Sequence, residues 1–413
     1  MAQLSSATLT PAELAQGLLQ AVRQAGLDRV PDAMLGGQPL RQFPSLDLAV
    51  VAFPHAAAPV WANVLFSREH PQGVVGDIAG DAGAVRNIRY LADVTDSQGR
   101  SAAWLPDADW AALPRQVLWG DGPRSVVAPY PASLIKLMVA VGVALAVDAG
   151  QASWDQAWPH AGSTRTVAAW TESMLVASSN EATSAMVALL HCSDVLLPGG
   201  QGRDPLHALF SKFGLHTLRL ADTQPDGGWR NADGAGVGHL QMTAWDTVRL
   251  LWLLRGEDAP AAPWVPPGQP PVLSADSRQR LWQWLGDQGL HTVLSSTTLA
   301  GVPGWQPGIA AQLPQRWIGA DGSVQVEDYQ FPPDVRAANA ASDLHFAHKT
   351  GNTENYAADA GWVSAPGAHG RRYLIALLSN LGSRYASNPA CATDWRVPAL
   401  GAAVDAWLQA RLG

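Results

Sequence analysis

Eleven consecutive residues, Leu137 to Val147, carry no polar side chain. Pro131 precedes them and Gly150 follows, which marks the start and stop of a helix. A helix that is apolar all round has no face to give to water, so protein must enclose it on every side. It is well short of the roughly 20 residues that cross a bilayer, so no membrane span is expected. The chain must therefore be layered around this helix. Its 413 residues, 47% hydrophobic and 15% charged, allow two or three domains of ordinary size and a substantial core.

The rest of the chain supplies such layers. Thr10-Pro11-Ala12-Glu13 is a capping box with Pro at the first helical position. Leu14, Leu18, Leu19 and Val22 then make one apolar stripe, predicting a helix to about Gly26. Leu46–Phe53 and Val60–Phe66 read as strands. Asn87–Thr95 and Ser101–Leu105 read as a hairpin turning at Asp96-Ser97-Gln98-Gly99. Val126–Ala149 reads as a turn and then the apolar helix. Helices are expected at Thr166–Ala177 and Glu181–Leu190, broken at Ser178-Ser179-Asn180, and at Thr243–Leu254. Strands are expected at Leu344–Thr350, Ala360–Ser364 and Arg372–Ser379, and a closing helix at Val397–Leu412. Ala259–Pro271 and Gly301–Pro314, rich in Pro and Gly, read as surface connections or insertions.

Charge and cysteine content exclude several functions. A formal charge of −8 and a pI near 5.7 argue against a nucleic-acid or anionic-membrane partner. Cys192 and Cys391 have no metal-ligand spacing and form no disulfide framework; whether they pair is open at this level. No H-E-x-x-H occurs among the 11 histidines, and His345 with His348 is a weak metal pattern, so no cofactor or metal is expected. The N-terminus shows neither a basic segment nor a long apolar one. The expectation is a soluble protein, cytoplasmic if the chain is complete as given and periplasmic or secreted if a signal peptide was trimmed.

Of the 27 Lys and Arg residues only three are Lys: Lys136, Lys212 and Lys349. Arginine stays protonated at working pH, whereas a buried lysine can become a neutral base. Nothing around Lys212 suggests a site. Lys136 follows Ser133 by three residues at the start of the apolar helix, so the two share a face. A neutral Lys136 there could take the Ser133 proton and make an alkoxide nucleophile. The Ser133 amide, at a helix N-terminus, could stabilise an oxyanion. A capping serine beside a lysine whose head reaches water would look the same in sequence. In the helix break, Ser178 and Asn180 are two apart and can point the same way, one to relay a proton and one to hold a carbonyl; helix caps favour the same residue types. Lys349-Thr350-Gly351 ends a strand, where a charge and a hydroxyl suit an anionic group and the glycine permits close approach.

Taken together, Ser133-x-x-Lys136, Ser178-Ser179-Asn180 and Lys349-Thr350-Gly351 resemble, in order and context, the S-x-x-K, S-D-N and K-T-G set of class A β-lactamases and penicillin-binding proteins. The flanks Met174–Ala182 and Thr243–Leu251 are also similar to that family's. The resemblance covers about residues 87 to 413, with insertions. It implies an α+β fold, an antiparallel sheet flanked by helices plus a mostly helical subdomain, with the site between them. It implies Ser133 as acylated nucleophile, Lys136 as its base and Ser178 as proton relay. Asn180, Lys349, Thr350 and Gly351 would bind substrate, and Asn352 would add a second oxyanion N–H. Residues 1–86 are expected to form an accessory segment or small domain; the helix from Thr10 could instead be the family's first helix, followed by a long insertion.

The chain departs from the family pattern in three places. Ser179 stands where the second motif carries Asp. With Leu218–Pro225 laid over the family's loop, Gln224 replaces the deacylating glutamate, and glutamine cannot accept a proton from water. Asp222 or Asp226 could substitute, or Lys136 could serve both steps. Where the family carries a carboxylate-binding arginine, this chain has Asp359 and Gly361, with no arginine before Arg371. The expected function is a β-lactamase-like serine hydrolase acting on a small-molecule or peptide lactam, amide or ester. The alternatives are a covalent penicillin-binding or sensor protein with slow deacylation, and an esterase or D-amino-peptidase.

Overall fold

A computed structural model describes residues 9–94, 109, 112–198, 203–229, 240–367, 370–388 and 391–412. Its centre is a six-stranded antiparallel sheet. In chain order the strands are β1 (Leu46–Ala52), β2 (Val60–Phe66), β3 (Val74–Val75), β4 (His345–Asn352), β5 (Ala357–Ser364) and β6 (Arg372–Ser379). Their spatial order is β4-β5-β6-β1-β2-β3. Both faces of the sheet are covered, which is why β1 and β6 read as apolar runs rather than alternating strands. Leu48 and Val50 pack on one face, with helices α1 (Pro11–Ala25) and α9 (Arg396–Leu412). Ala49 and Val51 belong to the core of the other face, where α6 (Ala244–Arg255) lies on the sheet.

The expected α+β architecture is present, but the boundary expected after residue 86 is not. β1 pairs with β6 along Leu46↔Ser379 to Ala52↔Tyr373, and β2 continues the ladder. Residues 46–75 thus supply half of the sheet, and α1 packs on α9 from the other end of the chain. The N-terminal segment is part of the main body rather than an accessory domain, as the alternative placing of the Thr10 helix allowed. Its helix is built as expected: Thr10 Oγ1 accepts the Glu13 N–H and the Glu13 carboxylate accepts the Thr10 N–H, while Gly26 ends it at φ 64.

The apolar helix α2 (Lys136–Asp148) is enclosed as predicted. It packs among α3 (Val167–Val176), α4 (Asn180–Cys192), α5 (Pro205–Lys212) and α7 (Ala275–Gly286). The turn expected before it is partly a strand: Arg124–Ala128 runs parallel to Ile88–Ala92. The proposed partner arm Ser101–Leu105 and its turn lie outside the described residues, and within them Ile88–Ala92 pairs with Val117–Trp119 instead. Helices α5 and α7 were missed, although Asp204 and Ser274 cap them. So was the short α8 (Arg336–Ala341). Cys192 is exposed, Cys391 is buried, and neither is in a disulfide. Among the described residues no helix is long and apolar enough to cross a membrane.

Candidate active site

Ser133 sits in a 3-10 turn, Ala132–Ile135, that runs directly into α2 at Lys136. In such a turn residues three apart eclipse, which brings Lys136 Nζ to 3.0 Å from Ser133 Oγ. Ala132, just before the serine, has φ 49, and Ser178 has φ 59. Left-handed backbone at residues with a Cβ costs of order 1–3 kcal/mol and persists where surrounding structure imposes it. Here it occurs at both serine-bearing segments.

The break between α3 and α4 caps a helix and also builds the site. Ser179 Oγ accepts the Ala182 N–H and caps α4, while Ser178 and Asn180 turn to Lys136. Lys136 Nζ donates to the Ser178 carbonyl at 2.5 Å and to Asn180 Oδ1 at 2.9 Å. A neutral amine has two N–H groups, and these two partners, which can only accept, use both. Its one lone pair is then left to accept from a single hydroxyl, with Ser133 at 3.0 Å and Ser178 at 3.1 Å both in reach. Lys136 is fully buried, and burial first, then the nearby Lys349 ammonium, hold its pKa well below the ordinary lysine value. A shift in that direction is the one a general base requires.

Lys349 approaches the same hydroxyl from β4. Its Nζ is 3.0 Å from Ser178 Oγ and donates to the Thr350 carbonyl at 2.7 Å. Ser178 Oγ therefore lies between two lysine nitrogens. Burial lowers the Lys349 pKa to about 7, although Asp359 pulls it upward. The ordinary ammonium expected there from sequence is thus half lost near neutral pH, because this lysine is as deeply buried as Lys136.

Gly351 has a different reason from the one expected. A Cβ there would lie 2.8 Å from the Pro131 carbonyl oxygen and 2.9 Å from the Ser133 and Leu134 nitrogens. What approaches the glycine is the serine turn itself. β4 is the sheet edge. Bonded and non-bonded pairs alternate along an antiparallel ladder. The Thr353 N–H bonds the Tyr356 carbonyl, so the Asn352 N–H points away from β5, toward the open edge. The Asn352 side chain is engaged elsewhere, donating to the Ala392 carbonyl.

Ser133, Ser178, Asn180, Thr350 and Asn352 open onto one cleft of about 480 Å³. Leu290, Tyr329, Phe331 and Cys391, not found from sequence, also form its wall. They come from the segments before β4 and before α9, where no motif marked them. Asp222 and Gln224 line a neighbouring cleft of about 750 Å³ that meets the first at Asn180. Gln224 there bonds its own loop, N–H to the Gly228 carbonyl at 2.7 Å, and Asp226 accepts the Gly228 N–H at 2.9 Å. On the strands after Gly351, Asp359 is buried against His348 Nδ1 at 2.7 Å and the Leu294 N–H at 3.0 Å. Arg371 is held by Asp405 of α9 through two 2.8 Å bonds. Neither supplies a guanidinium to the cleft. Among the described residues no cluster of metal-ligand side chains forms.

Neither a family model nor a curated protein matches the sequence. Solved structures that it resembles include PBP-A, at 17% identity and TM-score 0.44, covering 95% of each chain. A β-lactamase from Sphaerobacter thermophilus is similar at 13% identity and TM-score 0.48, over 96% of this chain and 97% of that one. A representative of class A β-lactamase from Bacteroides cellulosilyticus is similar at 13% identity and TM-score 0.47, over 98% and 99%. These likenesses are distant, and what the site can do rests on its own atoms.

Proposed function

We propose that the chain is a β-lactamase-like serine hydrolase that forms an acyl-enzyme at Ser133 and acts on a lactam, amide or ester. The observation that carries this is Ser133 Oγ at 3.0 Å from a buried Lys136 whose N–H groups are spent on acceptor-only partners. Lys136 takes the Ser133 proton as Oγ attacks the substrate carbonyl. The Ser133 and Asn352 amides receive the developing oxyanion. Ser178, between the two lysines, passes a proton to the leaving group as the acyl bond breaks. Lys349 and Thr350 hold an anionic group of the substrate, with Asn180 completing the binding surface, while Gly351 makes room for the serine turn. Water, or an amine, then takes the acyl group from Ser133.

Gln224 supports a second reading, a covalent sensor or penicillin-binding protein that deacylates slowly, since an amide is no base. Asp222, Asp226 or Lys136 would have to activate water for rapid turnover. Incubation with a chromogenic cephalosporin, followed by intact-mass measurement, separates the two. Many turnovers per chain identify a hydrolase, and one persistent adduct a sensor. Turnover of simple esters with no lactam adduct identifies an esterase or peptidase. Retained activity in Ser133→Ala would overturn every version.

A further inference from the structure

Beside the serine cleft stands a hairpin that the acyl transfer above does not use. Val324–Val326 pairs antiparallel with Tyr329–Phe331, with Val324 opposite Phe331 and Val326 opposite Tyr329. Residues directly opposite share a face, and alternation puts Gln325 and Gln330 on the other. The first face is the inward one: Val324 and Val326 are buried and pack with Leu290, Leu313 and Ala177, the residue before Ser178. Phe331 packs partly against the same cluster. Tyr329 is on this inward face and yet remains 49% exposed. The open space at its ring is the serine cleft, whose apolar wall Tyr329 and Phe331 form with Leu290.

The hairpin is also held in place. Ser173 Oγ of α3 donates to Glu327 Oε2 at 2.9 Å across the turn, and α3 leads directly into Ser178. Glu327 has φ 47, a turn conformation that the bond fixes. The distance between this aromatic wall and the reacting hydroxyls is therefore set by the fold.

We propose that Tyr329, Phe331 and Leu290 form a subsite for an aromatic substituent, so that the preferred substrates are aryl-bearing acyl compounds rather than short aliphatic ones. This rests on Ser133 being the acylated nucleophile. A ring laid against these three residues exchanges water for carbon on both partners, and the geometry of offset or edge contact adds to it. The hydroxyls of Ser133, Ser178 and Thr350 line the other part of the same cleft, so an amphipathic substrate with one aromatic end fits the division of the wall.

Two thioester pairs test it, with thiol release as the readout. Phenylacetyl and acetyl thioesters of methanethiol vary the acyl side; acetyl thioesters of thiophenol and methanethiol vary the leaving side, each corrected for its uncatalysed rate. At least one pair should show an aromatic preference of roughly tenfold or more in kcat/KM. Tyr329→Ala, at a half-exposed position that should not disturb folding, should erase that preference by raising KM. S-methyl thioacetate, which has no ring to lay there, should lose much less than the aromatic member. Ser173→Ala, which frees the turn, should weaken the same preference. Equal rates for aromatic and aliphatic members in both pairs would overturn the subsite while leaving the nucleophile assignment intact, as would an equal loss for all substrates in Tyr329→Ala. Thiol release that survives Ser133→Ala, or the absence of even one equivalent of thiol per chain from every thioester, would overturn the acyl-transfer reading and the subsite with it.

Discussion

Gly351→Ala adds one carbon where the sheet edge meets the serine turn. The new Cβ would stand 2.8 Å from the Pro131 oxygen and 2.9 Å from the Leu134 and Ser133 nitrogens. Comfortable contact begins at about 3.5 Å, so the two segments must part by roughly half an ångström or more. All three obstructing atoms are backbone, and no flexible side-chain tip can move aside. Gly351 does not occupy the left-handed region, so the substitution reports this contact and not a conformational preference. Overpacking of this kind costs about 1–3 kcal/mol, and the melting temperature should fall accordingly. The chemistry should suffer more. Withdrawal of β4 carries Lys349, Thr350 and the Asn352 amide away from Ser133, and a misplacement near 1 Å costs on the order of 100-fold. A loss of about tenfold or more in the acylation rate is expected at the half-ångström scale. Acylation followed by mass against a chromogenic cephalosporin, with calorimetry on the same sample, measures both. A variant that acylates and melts like the parent would refute the claim that this contact sets the site.

Other outcomes follow from the same geometry. Lys136→Arg keeps a cation but removes the usable lone pair, so acylation of Ser133 should fall by about 100-fold or more; near-parental acylation would remove Lys136 from the base role. The Lys349 pKa drops from 10.5 unfolded to about 7 folded. Between these values the unfolded chain binds the extra proton, so this lysine's contribution to stability is fully present above pH 10.5 and is lost as pH falls toward 7. The melting-temperature difference between the parent and Lys349→Met should therefore move in the parent's favour as pH rises through that window, and a pH-independent difference would contradict the burial argument. Asp405→Ala leaves the Arg371 guanidinium and the Tyr373 hydroxyl unpartnered in a nearly buried site, costing about 3 kcal/mol by denaturant titration. Acylation per folded molecule should stay at the parental rate, because this pair joins α9 to the far face of the sheet. A chain beginning at Asn87 lacks β1, β2 and β3 and should give no cooperative unfolding transition; an autonomously folded product would restore the separate-domain picture.

Local signals in the sequence carried much of the fold. The Thr10 capping box, the Val60–Phe66 strand and the Thr243 cap are all where local chemistry puts them. The site was legible as three short motifs because its groups must lie three apart in a turn, two apart in a helix break, and consecutively on a strand. Three features stayed hidden for physical reasons. The N-terminal strands carry the same apolar pattern whether they pair with each other or with a strand over 300 residues away. The hairpin wall has no chemical motif, only alternating Val and aromatic residues. Lys349 looks like any strand-end lysine until its burial is known.

The sequence alone determined that an apolar helix must be buried, that a serine and a lysine stand three apart at its start, and that two further polar motifs follow. Those are properties of neighbours along the chain, governed by helix and turn geometry. Only the tertiary structure decided that β1 and β2 complete the sheet, that both site lysines lose their solvent, and that Gly351 makes room for the serine turn. It also decided that an inward-facing tyrosine is left open in the cleft. Each of these depends on which distant segments come into contact and exclude water, and spacing along the chain does not encode that.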